Sequence, residues 1–318
     1  MSCIKIIYGS GSAGSWRDEK EGPGVLNVLE EFGVDTIDTA RIYASSEELI
    51  GRRGAADRFE IDTKHPGGFA ENTPATKENV IETAEVSLGL LKTDQVHIYY
   101  LHAPDRTTPL KNTLAGINEL YKQGRFRRFG LSNFLASEVE EVVRVAAEHG
   151  FVQPSVYQGN YSAFARRHEL ELFPVLRKHG IAFNAYSPLA GGFLTKTAQD
   201  IEEQVGRFTS ANPLGGVYIT LYKKPVFLAA LKVWEAISQA SRVSKAELAY
   251  RWVAYHSSLT RENGDGMIVG ARNLQQLRET LTGLRRGPLP DDVAKQIEAI
   301  WDQIKDEAGL DNFNLNSA

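Results

Sequence analysis

Short apolar runs alternate with amphipathic helical runs eight times along these 318 residues, which limits the chain to folds that wrap helices around a parallel sheet. Strand-like runs fall at 3–8, 36–38, 59–64, 95–101, 128–131, 155–158, 182–186 and 267–269. Helical runs lie between them, at 25–32, 46–53, 76–91 and 114–121, then up to His149, from Glu169 to His179, and at 274–284. The fourth strand-like run, QVHIYYL, is apolar enough for a strand covered on both faces. Gly33 is a natural residue to end the first helix, and Pro66-Gly67-Gly68 stops the third strand. The S-x-x-E pairs Ser137 with Glu140 and Ser244 with Glu247 predict two capping boxes. After the seventh strand the rhythm breaks, and 189–265 reads as a long insertion with helices near 227–240 and 246–255. One more amphipathic helix, 291–305, precedes a polar tail. The pattern predicts a single domain over 1–318, a (β/α)8 TIM barrel with a long insertion after strand 7 and an additional C-terminal helix.

Composition removes several classes of function. A net charge of −4 and a pI near 6.0 leave no basic footprint for nucleic acid or an anionic membrane surface. Cys3 is the only cysteine, which excludes a disulfide framework and a cysteine-rich zinc site and fits a reducing cytosol. With no apolar run long enough to span a bilayer and no apolar signal-peptide core in residues 1–8, a soluble cytoplasmic protein is expected. The turn Gly9-Ser10-Gly11-Ser12-Ala13-Gly14 is only superficially a dinucleotide fingerprint, because Trp16, Arg17 and Asp18 follow it without a helical register.

Enzymes on barrels of this kind work at the C-terminal ends of the strands. Asp38, Lys64, His102, Ser132, Asn133, Gln158, Tyr186 and Gly270 all fall there, with Tyr43 just beyond the second strand in Ile37-Asp38-Thr39-Ala40-Arg41-Ile42-Tyr43. Singly, each is an ordinary strand-end polar group; together they predict a site. An ammonium about 4 Å from a phenol gains about 4 kcal/mol at an effective dielectric of roughly 20, enough to lower the phenol's pKa by up to about 3 before desolvation is subtracted. On that reading Asp38 holds Lys64 charged, Tyr43 exchanges a proton near neutrality, and His102 orients a carbonyl oxygen. The set offers neither a convincing nucleophile nor a metal cluster. It suits protonation of an oxygen whose carbon receives a hydride from a nicotinamide.

At these residues the chain resembles the aldo-keto reductases, whose Asp, Tyr, Lys and His tetrad matches Asp38, Tyr43, Lys64 and His102. The resemblance implies that Tyr43 and His102 meet the substrate, and that Asp38, Ser132, Asn133 and Gln158 lie around the nicotinamide. In YSPLAGGFLTK, it implies that Tyr186 stacks on the nicotinamide and that Ser187, Pro188, Leu189, Gly191 and Leu194 belong to the segment covering the pyrophosphate, with Arg207 beyond it. IVGARNLQQLRET implies that Gly270, Arg272, Gln276 and Thr280 surround the adenosine 2′-phosphate of NADPH. VGRF at 205–208 and IVGA at 268–271 look most like the aflatoxin-aldehyde reductase branch.

The departures from the family pattern are specific. Gly270-Ala271 replaces a common Lys-Ser, Gln276 replaces an Arg, and Thr280 replaces the Asn that contacts adenine, which leaves Arg272 as the evident cation of the last motif. The stretch 217–222 lacks the arginines with which that branch grips carboxylated aldehydes, so an aromatic or uncharged carbonyl is expected. Arg41 reads equally as a pocket-rim residue or a solvated one. Two other classes remain: a nicotinamide-binding regulatory subunit of the same fold with slow turnover, and a metal-dependent hydrolase, which Lys64 disfavours by placing a cation where the metal should sit. Neither a physiological carbonyl, nor a reaction direction, nor an oligomeric state is implied.

Overall fold

The computed structural model describes residues 4–11, 21–70, 72–209, 211–212 and 214–315. Eight parallel strands close into a barrel in chain order: β1 Lys5–Gly9, β2 Thr36–Asp38, β3 Glu60–His65, β4 Val96–Leu101, β5 Phe126–Ser132, β6 Pro154–Asn160, β7 Ala182–Tyr186 and β8 Gly266–Val269. β8 pairs with β1 and completes the ring. The helices are α1 Gly22–Phe32, α2 Ser46–Arg52, α3 Lys77–Leu91, α4 Leu110–Lys122, α5 Ala136–His149, α6 His168–Glu171 and α7 Phe173–Lys178, then α8 Ala198–Glu202, α9 Gly215–Tyr222, α10 Pro225–Ser241, α11 Lys245–Tyr255, α12 Leu274–Arg285 and α13 Asp291–Ile304. The expected (β/α)8 barrel is therefore present, with α8 to α11 in the insertion after β7 and α13 packed on α10.

Parallel pairing aims every second side chain inward, and this separates two cores. Outside the barrel, the apolar faces of the helices pack on outward strand residues such as Tyr99, Tyr157 and Phe183. Inside, Ile98, Tyr100, Val156 and Ala182 form their own cluster. Tyr100 reaches across the barrel because β5 offers Gly130 opposite it, where a Cβ would come within 2.2 Å of the ring. The ring makes a floor: Lys64 Nζ lies 5.4 Å above its centroid. The insertion is anchored by Trp234 of α10, fully buried, whose indole N–H donates to Leu194 O at 3.0 Å and whose ring meets Phe164 edge-on. Truncating such a side chain costs about 3–5 kcal/mol.

Three local expectations are corrected. α5 begins at Ala136, so its first-turn glutamate is Glu138, which accepts the Leu135 N–H at 2.7 Å. Leucine cannot return the bond, and Glu140 is instead paired with Lys178 and His179. Ser244 does cap α11, accepting the Glu247 N–H, but the Glu247 carboxylate goes to Arg251 and Arg286, so that box is half made. The helix expected from Glu169 to His179 is two short ones, because Pro174, at the start of α7, has no N–H to continue the ladder.

Candidate active site

Asp38 ends β2, Lys64 is the penultimate residue of β3, His102 follows β4, Ser132 ends β5, Gln158 lies near the end of β6, Tyr186 ends β7 and Gly270 follows β8. Closure of the barrel brings these strand ends to one rim. Lys64 Nζ, with no exposure, donates to Asp38 Oδ1 at 2.6 Å and to Thr39 O at 2.6 Å. Gln158 Nε2 donates to the same Asp38 oxygen at 2.8 Å. Tyr43 turns back from the loop after β2, so that its hydroxyl is 3.5 Å from His102 Nε2 and Lys64 Nζ is 5.4 Å from its ring centroid.

The expected depression of the Tyr43 pKa is not found. Burial, with Asp38 and Tyr218 adding to it, pushes the phenol above its ordinary range. The Lys64 ammonium, fastened to Asp38 and Thr39 and 5.4 Å from the ring centroid, does not outweigh that burial. Burial, reinforced by Lys64, also holds His102 well below the usual imidazole range, and its Nδ1 is buried without a hydrogen-bond partner among the described residues. The corner therefore carries a protonated phenol beside a neutral imidazole, over a charge-paired ammonium.

From this corner a cleft of about 1400 Å³ runs to α12. Of the anticipated residues, Asp38, Tyr43, His102, Asn133, Gln158, Tyr186, Ser187, Pro188, Leu189, Gly191, Arg207, Gly270, Arg272, Gln276 and Thr280 line it. Lys64, Ser132 and Leu194 do not. Lys64 lies behind Asp38, Ser132 Oγ accepts from Asn133, and Leu194 is buried with its carbonyl on Trp234. Asn133 adopts a positive φ of 60°, which turns its amide back into the rim: Nδ2 donates to His102 O, and Oδ1 accepts the Tyr186 hydroxyl at 2.7 Å. Gln276 uses its amide oxygen on the Arg272 N–H, closing its own turn.

Arg41 is neither a rim residue nor simply solvated, since it pairs with the buried Glu47. Sequence reasoning missed Lys196, Tyr218, Phe69 and Asn312, which also line the cleft. Lys196 stands at the end of the quoted YSPLAGGFLTK motif, and its Nζ and the Arg272 guanidinium both lie within 4.0 Å of where a Cβ on Gly206 would stand. Tyr218 covers Gly191, whose φ of 67° and missing Cβ allow the ring to lie directly on the backbone. Phe69 meets His102 and Phe313 edge-on, each at 5.0 Å.

The cleft fits an extended, anionic dinucleotide better than a compact ligand. Among the described residues Arg207 and Arg272 have no carboxylate within ion-pairing distance, whereas Arg278 is held by Glu31 and Arg286 by Glu247. Gly191, Gly192 and Gly270 also line the cleft, and at Gly192 a Cβ would meet nothing within 4 Å. Among the described residues no group of His, Cys, Asp and Glu is arranged for a metal ion, and no helix is long and apolar enough to cross a membrane.

Comparison with known proteins agrees with this geometry. The sequence profile described as the Aldo/keto reductase family matches residues 5–302. "Oxidoreductase sirO" of Leptosphaeria maculans is 38% identical over 315 residues, covering 95% of each chain. "Aflatoxin B1 aldehyde reductase member 4" of Homo sapiens is 34% identical over 310 residues, 93% of each. "Aldo-keto reductase family 7 member A3" of Homo sapiens is 34% identical over 316 residues, 95% of each.

Proposed function

We propose, from the premise that this chain belongs to the aldo/keto reductase family and is an oxidoreductase of that kind, that it reduces an aromatic or uncharged aldehyde or ketone to an alcohol using NADPH. The observation that carries the reading is the corner itself: a protonated phenol and a neutral imidazole, 3.5 Å apart, open into a cleft at whose far side Arg207 and Arg272 have no ion pair among the described residues. A reduced nicotinamide, when bound, supplies the hydride for the carbonyl carbon.

The residues of the chain do the rest. A carbonyl oxygen placed between Tyr43 OH and His102 Nε2 accepts a hydrogen bond from each as its carbon becomes tetrahedral. The Tyr43 proton passes to that oxygen, and Lys64, 5.4 Å from the ring centroid, offsets the phenolate charge that remains. Asp38 pairs with Lys64 and keeps it in place. Asn133, Gln158 and Tyr186 hold the nicotinamide end. Arg272, with Lys196 and Arg207, holds the phosphates through charge-assisted contacts.

The mouth beside His102 is aromatic, with Phe69, Phe313 and Tyr218 close to it, while the cations lining the cleft belong to the insertion and the β8–α12 side. Arg106, which stacks on Phe313, is already bonded to Glu138 and Asn314. Uncharged aromatic carbonyls should therefore be preferred. A screen of aromatic, aliphatic and carboxylated aldehydes and ketones, read by NADPH consumption, should give its highest kcat/KM in the uncharged aromatic group. No consumption with any carbonyl would overturn the activity, and a preference for carboxylated aldehydes would overturn the substrate class.

A further inference from the structure

We infer that Glu47 is a positioning residue for the proton donor: its buried carboxylate fastens the loop that carries Tyr43 to the strand that carries Lys64. The inference rests on the reading of Tyr43 as that donor. Glu47 is the second residue of α2, has no exposure and does not line the cleft. Its Oε1 accepts the Thr63 hydroxyl at 2.6 Å, and its Oε2 is 2.5 Å from Arg41 Nη1. Thr63 is the neighbour of Lys64 on β3, and Arg41 stands two residues before Tyr43. One carboxylate thus spans the two segments whose separation sets the phenol over the ammonium.

A carboxylate in this position is costly unless it is paired and hydrogen-bonded, and both oxygens are so engaged. Neither bond caps α2, so holding that short helix does not account for them. A second tie lies beside the first. Ser46 Oγ receives the Thr39 hydroxyl at 2.8 Å and is 2.7 Å from Ser10 Oγ, whose own hydroxyl bonds to Asp38 O.

Between Tyr43 and these ties the backbone is strained: Ala44 has a φ of 47°, a conformation that non-glycine residues keep only where the surroundings impose it. The phenol oxygen has little to hold it, since the one hydrogen-bond partner it shows among the described residues is His102 Nε2 at 3.5 Å. The aim of Tyr43 is therefore set from behind, by the loop, and the loop is set by Glu47 and Ser46. A misplacement of about 1 Å in such a group can cost on the order of 10²-fold in rate.

Glu47→Gln and Arg41→Gln should each lower the single-turnover rate of aldehyde reduction by about 10- to 100-fold and leave the NADPH dissociation constant unchanged. Arg41→Lys, which keeps the charge, should recover most of the rate. Arg41 is partly exposed, so its variants carry the test if Glu47→Gln does not fold. In a Tyr43→Phe background Arg41→Gln should cause no further loss, because it acts through the phenol. Wild-type rates in both Gln variants, or a loss that multiplies with Tyr43→Phe, would overturn the inference. A Tyr43→Phe enzyme at the wild-type rate would instead remove the reading on which it rests.

Discussion

Asp38, Lys64 and His102, at the buried corner of the cleft, are 3%, 0% and 6% exposed, and two of them share a 2.6 Å ion pair. At the far end, Arg207 comes from the insertion and Arg272 from the turn before α12, both partly or wholly exposed and without ion pairs among the described residues. The contrast follows from solvation. A buried polar group must be satisfied by a fixed partner, so the corner is pre-organised before any ligand arrives. Exposed cations are satisfied by water and can give it up for phosphate, so the proposed phosphate end does not have to be built in advance. On the proposed function, chemistry and affinity are separated along one cleft.

Acid should break the buried side first. Burial depresses His65 to about 4, and its Nδ1 accepts the Gly67 N–H. A histidine with a folded pKa below its unfolded value of about 6.5 binds fewer protons folded than unfolded between those values, so its contribution is complete above pH ~6.5 and is lost as pH falls toward ~4. Asp62 and Asp311, which burial pushes up, act in the opposite sense and flatten the total slope. His65→Asn keeps an acceptor for Gly67, and the difference between its stability and wild type should therefore change by about 1.4 kcal/mol per pH unit across that window. Urea midpoints at a series of pH values measure it, and parallel curves would place the titration elsewhere.

The exposed end should respond to phosphate instead. On the proposed function, Arg272→Ala should cost a charged contact of about 1.5–3 kcal/mol and weaken NADPH by roughly 10- to 150-fold. NADH, lacking the 2′-phosphate, should be nearly unaffected. Fluorescence-quenching titrations at two salt concentrations separate the outcomes, and equal loss for both nucleotides would move Arg272 away from the 2′-phosphate.

The same contrast explains what the sequence made legible. Strands β2 and β7 have the bounds their residues suggested, because a short parallel strand between turn residues leaves little freedom. The corner was legible too, since each strand end carries one chemically distinctive group and closure of the barrel does the rest. Lys196, Tyr218, Phe69 and Asn312 lie outside the strands, where no period says which side chain turns inward. The positive φ values of Asn133, Ser187 and Ala190, at residues without glycine's freedom, leave no mark in the sequence, yet they shape the rim. The Tyr43 pKa failed for another reason: the tug of Lys64 could be written down from the sequence, whereas the depth of burial that outweighs it could not.

On the proposed function the buried phenol supplies the proton while the cleft beyond it holds the cofactor. Tyr43→Phe tests it most directly, with the single-turnover rate of aromatic aldehyde reduction and the NADPH dissociation constant measured on one preparation. The rate should fall by roughly 10²- to 10⁴-fold, the usual share of general acid catalysis, while the dissociation constant stays within about twofold. A variant that reduces the aldehyde at a near-normal rate, or that loses NADPH binding in step with the rate, would contradict it.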